Sequence, residues 1–420
     1  MATKSSRLAV TPDDVENAAN TIRGHVRRTE LAASPWLSEA TNASVFLKLE
    51  NRQLTGAFKE RGATNRVAKL SPQERKRGVI ALSAGNHAQA VAYATRALGI
   101  SATIVMPTTT PFFKVRRTEE LGARVVLYGE TVAEAGERAA ILEAERGLTF
   151  IHPYDDPAVI AGQGTIGLEI VEDAPDLDAI VVPVGGGGLI AGILVAVKSL
   201  SPRTQVIGVE TEAYPSLVRL LTNHPVRHTG AETVAEGIAV KNIGEIPLSI
   251  ARQLLDDAVA VSEREIERAI HAYLENEKLL VEGAGAASLA LLLSQRDRFA
   301  GKKVALIVSG GNIDTGLLAS IIARVRLREH RVHMIRVAIP DQPGALARVA
   351  TIVGSLGANI LDVEHQRQFS EISARSAYLT LSFETQHRED AAEVVRRLRA
   401  EGFATSTIPN EAPEIEAEAP

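Results

Sequence analysis

Residues 180–189 read Ile180-Val181-Val182-Pro183-Val184-Gly185-Gly186-Gly187-Gly188-Leu189, and an apolar segment continues from there to Leu200. The first five residues are apolar throughout, as in strands of parallel sheets that are buried on both faces. The segment after the glycines is long enough for a helix. This stretch therefore predicts a buried strand that passes through a glycine turn into a helix.

The same order of strand and helix recurs through the first 325 residues. The other predicted strands are short and apolar, and they cover residues 45–49, 79–82, 103–106, 125–128, 206–209 and 304–308. Segments of helical length lie between them, among them residues 88–98 and 132–145. Apolar strands that alternate with helices indicate a doubly wound α/β fold.

A second unit follows a change in composition near residue 325. Residues 324–331 are rich in charge and have no broad apolar face. Strand and helix patterns then follow in the order βαββαβ, which is typical of a ferredoxin-like unit. These elements are predicted at residues 334–339, 343–356, 359–365, 377–383, 390–399 and 403–408. The predicted boundaries are residues 1–325 for the first domain, 326–332 for a linker, 333–408 for the ferredoxin-like domain and 409–420 for a disordered acidic tail.

The composition narrows the classes of function. The chain has 420 residues, a formal net charge of −5 and no cysteine. No basic block marks a surface for nucleic acid or for an anionic membrane. The lack of cysteine excludes disulfides and thiolate chemistry, and no apolar run is long enough to span a membrane. We expect a cytoplasmic protein without nucleic-acid or membrane partners.

A lysine suited to covalent chemistry lies in the stretch Thr55-Gly56-Ala57-Phe58-Lys59-Glu60-Arg61-Gly62. A lysine amine reacts with a carbonyl, such as the aldehyde of pyridoxal phosphate, when its surroundings lower its pKa. Most lysines are solvated surface residues. The chemical interpretation of Lys59 therefore requires an anion-binding loop elsewhere in the chain.

Three loops offer such sites, and each follows a predicted strand. Residues 185–188 present backbone amides at a helix N-terminus and so suit a phosphate, although they match neither the Walker A nor the dinucleotide pattern. Residues 83–89 offer amides for a carboxylate and Asn86 for a ring hydroxyl, whereas His87 alone is more often a core or capping histidine. Residues 309–312 form the third loop. Loops at the carboxyl ends of parallel strands meet at one edge of a sheet, where ligands bind.

Together these four segments resemble the signature elements of the fold-type II pyridoxal-phosphate enzymes, which share the tryptophan synthase β-like fold. Within that group they resemble the branch of the threonine dehydratases and serine racemases. The resemblance covers about residues 8–325. It implies two doubly wound parallel-sheet subdomains and pyridoxal 5'-phosphate as the cofactor.

The resemblance also implies a role for each matching residue. Lys59 would carry the cofactor covalently, and Ser83 corresponds to the second acid–base group of the racemases. Ser309 would face the pyridine nitrogen and leave it largely unprotonated, which favours β-elimination. The cofactor-binding residues implied in this way are Phe58, Lys59, Asn86, Gly185, Gly186, Gly187, Gly188, Leu189 and Ser309. The substrate-binding residues are Ser83, Ala84, Gly85, Asn86 and His87.

The activity implied by the resemblance is β-elimination of L-threonine to 2-oxobutyrate and ammonia, with L-serine giving pyruvate as a side reaction. A serine racemase or serine dehydratase is the nearest alternative, because Ser83 matches the racemase position. A non-catalytic amino-acid sensor is the alternative from another class. A homodimer or homotetramer is implied as well, and the role is either isoleucine biosynthesis or threonine catabolism.

The second unit resembles an ACT domain, a module that binds amino acids as regulators, through residues 341–346 and 357–360. The turn at Gly344 would expose amides to a carboxylate, and Asp341 and Asn359 would take an ammonium group. A passive dimerisation module is the alternative. Neither the effector nor the sign of its effect follows from the sequence.

A cation site is the last expectation. Some members of the group place a cation near the acidic residue that corresponds to Glu210. The following residues 211–216 depart from the carboxylate-bearing pattern that a divalent ion requires. A monovalent cation held by carbonyl groups is therefore the alternative.

Overall fold

The structure is a computed structural model that describes residues 8–222, 230–367, 373, 375–385 and 387–408. The chain divides into two compact units between Asp314 and Thr315. Within the described ranges, no helix is both long enough and apolar enough to cross a membrane. The acidic tail predicted at residues 409–420 lies outside the described residues.

The first unit alternates strands and helices along the chain. Its strands are β1 (Leu31–Ala33), β2 (Ser44–Lys48), β3 (Val79–Leu82), β4 (Ala102–Met106), β5 (Arg124–Leu127), β6 (Thr149–Phe150), β7 (Ala179–Pro183), β8 (Gln205–Thr211), β9 (Asp257–Val261) and β10 (Lys303–Ile307). Its helices are α1 (Pro12–Ile22), α2 (Pro35–Thr41), α3 (Lys59–Ala68), α4 (Pro72–Arg77), α5 (Asn86–Ala97), α6 (Phe112–Glu120), α7 (Val132–Arg146), α8 (Pro157–Asp173), α9 (Gly188–Leu200), α10 (Ser216–Thr222), α11 (Glu245–Leu254), α12 (Glu263–Ala272), α13 (Gly283–Ser294) and α14 (Arg296–Phe299).

These strands form two sheets. The larger has the order β1-β2-β10-β7-β8-β9, and the smaller has the order β5-β4-β3-β6. Every neighbouring pair is parallel except β1 and β2. The predicted doubly wound α/β fold with two parallel-sheet subdomains is thus confirmed. Strands β1, β6 and β9, which lie at the edges of the two sheets, were not predicted.

Close backbone contact fixes the helix that follows the central strand of the larger sheet. A Cβ added to Gly192 in α9 would lie 2.3 Å from the carbonyl oxygen of Ile160 in α8. Strand β7 is buried along its whole length, and Ile180 and Val182 belong to the same hydrophobic core as Leu194 of α9. The glycine turn between β7 and α9 is therefore held at both ends by packed elements.

The second unit has the predicted order βαββαβ after a leading helix. Its elements are α15 (Thr315–Arg328), β11 (Val332–Pro340), α16 (Ala345–Ser355), β12 (Asn359–Gln366), β13 (Ser376–Glu384), α17 (Arg388–Ala400) and β14 (Ala404–Thr407). The sheet order is β12-β13-β11-β14, with antiparallel neighbours. The ferredoxin-like topology is therefore confirmed.

The predicted linker at residues 326–332 differs from what the structure shows. Helix α15 continues to Arg328, and strand β11 begins at Val332. The charged residues stay helical because Val325 is buried and because Arg326 forms a 2.6 Å ion pair with Glu384. Only residues 329–331 connect the two elements.

Candidate active site

A cavity of about 690 Å³ in the first unit brings the predicted loops together. Its walls include Phe58 and Lys59, residues 83–87, residues 185–189 and Ser309. Every residue predicted to bind the cofactor or the substrate therefore lines one cavity. The loops come from both sheets, since residues 83–87 follow β3 of the smaller sheet and residues 185–189 follow β7 of the larger.

Lys59 begins α3 and points into this cavity. Its Nζ donates a 2.9 Å hydrogen bond to the carbonyl oxygen of Pro153 and lies 5.2 Å from the centre of the Phe58 ring. Burial lowers the pKa of the amine to about 8, although the nearby Glu282 carboxylate favours the ammonium form. A useful share of Lys59 is therefore a neutral amine near neutral pH, as covalent chemistry requires.

The Lys59 segment is fixed from two sides. The amide of Phe58 donates to the carbonyl oxygen of Ser309 at 3.0 Å, which ties the lysine loop to the loop after β10. Two residues further along α3, the buried Arg61 pairs with Glu50 at 2.8 Å and with Glu169 at 2.6 Å. These contacts leave little freedom to the start of the helix that carries the amine.

The glycine loop fits a phosphate group. A Cβ at Gly186 would lie 2.2 Å from the Tyr154 ring, and Gly187 has a φ of +89°, so neither position tolerates a side chain. Helix α9 begins at Gly188 and directs its N-terminus toward the cavity wall. Among the residues that the structure describes, the amides of Gly185, Gly186 and Gly187 donate to no backbone carbonyl. They are available to an anion, which matches the cofactor's phosphate.

The loop after β3 lies at the start of α5. The amide of Gly85 donates to Oγ of Ser83 at 3.1 Å, and a Cβ at Gly85 would meet nothing within 4 Å, so the loop borders open space. His87 is buried and its Nε2 lies 2.9 Å from the carbonyl oxygen of Ile151. Burial lowers the pKa of His87 to about 3. Its imidazole is therefore neutral, in line with the alternative of a core histidine and not with a base.

Asn86 is held by two side chains. Its Nδ2 donates to Oε1 of Glu282 at 2.7 Å, and its Oδ1 accepts a 2.8 Å hydrogen bond from Nδ2 of Asn312. Nδ2 of Asn312 also donates to the carbonyl oxygen of Thr55 at 2.8 Å. Burial raises the pKa of Glu282 to about 7.

Several cavity residues were not predicted from the sequence. They are Lys114, Arg117, Tyr154, Glu236 and Glu282. Lys114 and Glu236 form a 2.5 Å ion pair between α6 and a short 3₁₀ helix at Glu236–Ile238. Among these residues, only Glu282 had a sequence signal that could have indicated a site, since it directly precedes the small residues of α13.

Glu210 does not line the cavity. Its buried carboxylate accepts hydrogen bonds from the amides of Leu217 at 2.8 Å and of Val218 at 2.9 Å, at the start of α10. Burial raises its pKa to about 7. No group of three or more His, Cys, Asp or Glu side chains that could hold a metal occurs in the described part of the chain. A cation at Glu210 stays a prediction that this geometry does not favour.

The residues predicted to bind an effector are far apart in the second unit. In the sheet register, Asn359 of β12 and Val332 at the start of β11 both lie opposite Glu384 of β13, so Asn359 is level with the start of β11. Asp341 instead follows Pro340 at the end of β11. The strand between these two ends is about 27 Å long at ~3.4 Å per residue. The prediction that Asp341 and Asn359 bind one ammonium group is therefore wrong for a single copy of this unit.

Each end also has its own surface contacts. Oδ1 of Asp341 lies 3.2 Å from Nε of Arg367, and Nδ2 of Asn359 donates to Glu384 at 2.9 Å. Gly344 has a φ of +87° and precedes α16, so it belongs with Asp341 to the turn after β11. Of the three predicted residues, only these two share a turn.

Two family models match the chain. The description "Pyridoxal-phosphate dependent enzyme" covers residues 22–310, and "ACT domain" covers residues 333–403. The chain therefore belongs to the pyridoxal-phosphate dependent enzymes, and its second unit is an ACT domain. The lysine with a lowered pKa, the free amides and the cavity fit that cofactor.

Three individual proteins are similar to this chain over most of its length. An L-threonine ammonia-lyase of Thermotoga maritima is 47% identical over 400 residues, which cover 95% of this chain and all of the relative. The solved structure of threonine deaminase isoform 2 from Solanum lycopersicum is 35% identical with a TM-score of 0.70, covering 77% of this chain and 98% of that one. Maize serine racemase is 32% identical with a TM-score of 0.71, covering 77% of this chain and 99% of that one.

Proposed function

We propose that the protein is an L-threonine ammonia-lyase, which uses pyridoxal phosphate to convert L-threonine into 2-oxobutyrate and ammonia. The observation that carries this conclusion is the cavity that Lys59, with its pKa lowered to about 8, lines together with the glycine loop. The relative that shares 47% of its residues over both units is itself an L-threonine ammonia-lyase. The match to serine racemase covers a smaller share of the chain and at lower identity.

The cavity residues would divide the binding of the cofactor among them. Lys59 would hold it covalently, and the amides of residues 185–189 would bind its phosphate. Asn86 would bond the ring hydroxyl, and Ser309 would lie at the ring nitrogen. The bound cofactor supplies an electron sink for the charge that develops at Cα of the substrate.

Groups of the protein itself would bind the substrate carboxylate and move the Cα proton of the substrate. The amides of residues 83–87 stand at the start of α5 and bind the substrate carboxylate. The substrate amine would displace Lys59 from the cofactor, and the freed amine of Lys59 would then take the Cα proton, because a base with a pKa near 8 is well matched to neutral pH. The β-hydroxyl would then leave as water with the proton returned from Lys59, and the released enamine, through its imine tautomer, is hydrolysed to the 2-oxo acid and ammonia. L-Serine gives pyruvate by the same steps.

The remaining parts of the proposal concern regulation and assembly. The ACT domain binds a regulatory amino acid at the turn that carries Asp341 and Gly344. The enzyme works in the cytoplasm as a homodimer or homotetramer and supplies 2-oxobutyrate for isoleucine biosynthesis. The relatives and the ACT match support the amino-acid substrate and effector.

The test is release of 2-oxo acid from L-threonine by cofactor-loaded protein, with and without L-isoleucine. Release that responds to isoleucine supports both the chemistry and the biosynthetic role. Release that is indifferent to isoleucine keeps the chemistry but points to another effector. No release from threonine, with D-serine formed from L-serine, would replace the proposal by a racemase.

A further inference from the structure

Glu282 stands at the position just before α13 but does not cap that helix with its side chain. Its amide donates to the carbonyl oxygen of Gly310 at 3.1 Å, which anchors the residue to the loop after β10. A Cβ at Gly310 would lie 2.3 Å from Oε1 of Glu282, so the carboxyl group is packed directly against this loop. The carboxylate therefore serves the cavity and not its own helix.

The partner of this carboxylate is the amide group of Asn86. Nδ2 of Asn86 donates to Glu282 at 2.7 Å, while Oδ1 of Asn86 accepts from Asn312 at 2.8 Å. An ionised carboxylate can only accept hydrogen bonds, so it fixes which end of the amide faces it. The amide oxygen is occupied on the other side, and one N–H of Nδ2 stays available to a ligand.

We propose that Glu282 is a positioning residue, which orients the Asn86 amide so that Asn86 can only donate a hydrogen bond to the ring oxygen of the bound cofactor. This inference rests on the proposed function, because it concerns the same cofactor. A donor at this point stabilises the ring oxygen as an anion, since hydrogen bonding to a charged form favours that form. Ionised Glu282 reinforces the orientation that Asn312 favours, because a carboxylate can only accept from Asn86, whereas a protonated carboxyl group can also donate and holds the amide less firmly.

The charges around Glu282 are those of Lys59 on α3, Lys114 on α6 and Glu236 on the 3₁₀ helix. Lys114 favours the carboxylate, Glu236 opposes it, and His87 on α5 is neutral. Burial, the largest cause, raises the pKa of Glu282 to about 7. The hold of Glu282 on the donor orientation of Asn86 should therefore weaken as the pH falls through about 7.

The experiment measures two quantities at a series of pH values from 6 to 8.5, namely the dissociation constant of pyridoxal phosphate and the absorbance band of the bound cofactor. Glu282→Gln keeps the size of the side chain but carries both a donor and an acceptor. We expect it to weaken cofactor binding at pH 8 by about tenfold, as the loss of one hydrogen bond to a charged group implies. We also expect the wild-type protein to show an inflection near pH 7 in both quantities and this variant to lack it.

Three further variants separate positioning from simple damage to the fold. Glu282→Asp keeps an acceptor-only group and should restore the inflection at least in part. Glu119→Gln, which removes an exposed carboxylate from α6, should match the wild type. Combining Glu282→Gln with Asn86→Ala should cost no more affinity than Asn86→Ala alone, because Glu282 acts through Asn86.

Identical pH profiles for the wild type and Glu282→Gln would overturn the proposal, as would full additivity with Asn86→Ala. Threonine turnover by the wild type in that case would leave the proposed function intact. A wild-type protein that binds no pyridoxal phosphate would instead overturn the proposed function itself.

Discussion

The residues of the candidate active site and of the effector site in the ACT domain were both predicted from loops next to strands, yet only the first set lines one cavity. In the first unit the loops that begin at Ser83, Gly185 and Ser309 follow parallel strands and line one cavity. In the ACT domain Asp341 follows the end of β11, while Asn359 begins β12, which runs in the same direction. The start and the end of parallel strands lie at opposite edges of a sheet, so equal sequence signals lead to different geometry.

The pKa shifts of three carboxyl groups also differ in direction between the two regions. Glu210 and Glu282 of the first unit have pKa values raised to about 7, in both cases chiefly by burial. Glu384 of the ACT domain has a lowered pKa because Asn359 and Arg326 donate to it. Glu210 and Glu282 of the first unit thus favour the proton, whereas Glu384 of the ACT domain favours the charge.

The largest expected effect comes from removing the amine in the cavity. Lys59→Ala should lower threonine turnover by about 10³-fold or more, because the amine acts as both covalent anchor and base. Borohydride should no longer fix pyridoxal phosphate to the protein. Lys69→Ala removes an exposed amine at the other end of α3 and should behave as the wild type. Trapping at a different lysine would show that the cavity is not the reaction site.

Glu210 should give the first unit a pH dependence of stability opposite in sign to the one that Glu384 gives the ACT domain. The pKa of Glu210 is raised to about 7 from an ordinary value of 4.5, so its contribution to stability is full below pH 4.5 and is lost as the pH rises through 7. The loss amounts to about 3 kcal/mol in the free energy of unfolding of the first unit.

Denaturant unfolding at pH 5 and pH 8 checks this prediction. Glu210→Gln stays neutral, and its carbonyl oxygen still accepts from the amides at the start of α10. We expect the difference in unfolding free energy between the two pH values to be smaller in this variant than in the wild type. Equal differences in the two proteins would show that Glu210 is ionised across the whole range.

A third variant tests the close packing of the glycine loop. Gly186→Ala places a Cβ 2.2 Å from the Tyr154 ring. The resulting shift should cost about 1–3 kcal/mol and weaken binding of pyridoxal phosphate by about 10–100-fold. Gly354→Ala in the ACT domain, where a Cβ meets nothing within 4 Å, is the matched control and should leave binding unchanged. Equal affinities of the two variants for pyridoxal phosphate would mean that the glycine loop can shift at little cost in free energy.

The smallest effect is expected in the ACT domain. Asp341→Ala and Asn359→Ala should act additively on the affinity for an inhibiting or activating amino acid, within about 0.5 kcal/mol, because the residues lie too far apart to couple. Calorimetry on the two single variants and the double variant measures this. A coupling above that value would show that residues of two copies meet at one effector site.

Much of the fold could be predicted because its signals are local. The apolar strands follow from short patterns, and the structure places β3 at Val79–Leu82, which is the range predicted from the sequence. Strand β1 was missed because its three residues, Leu31–Ala33, have no periodic pattern. The linker at residues 326–332 was misjudged because charge alone does not end a helix whose other face is packed.

The candidate site divides in the same way. Lys59 and the glycine loop could be predicted because their sequence patterns are uncommon. Glu282 and Tyr154 could not, because each is a common residue type without a distinctive pattern in the neighbouring sequence. These residues reach the cavity only because folding brings distant segments together; Asn86 and Glu282, for example, are 196 positions apart in the chain. Only the folded chain shows that neighbourhood.

The packing around the glycine loop has a consequence for the thermodynamics of cofactor binding. Tyr154 lies against Gly186, and the carbonyl oxygen of Gly186 accepts a 3.1 Å hydrogen bond from the amide of Gly244. A run of four glycines would otherwise lose much conformational entropy when it closes around a phosphate. Because folding has already ordered this loop, the phosphate binds a rigid partner and little further entropy is lost on binding.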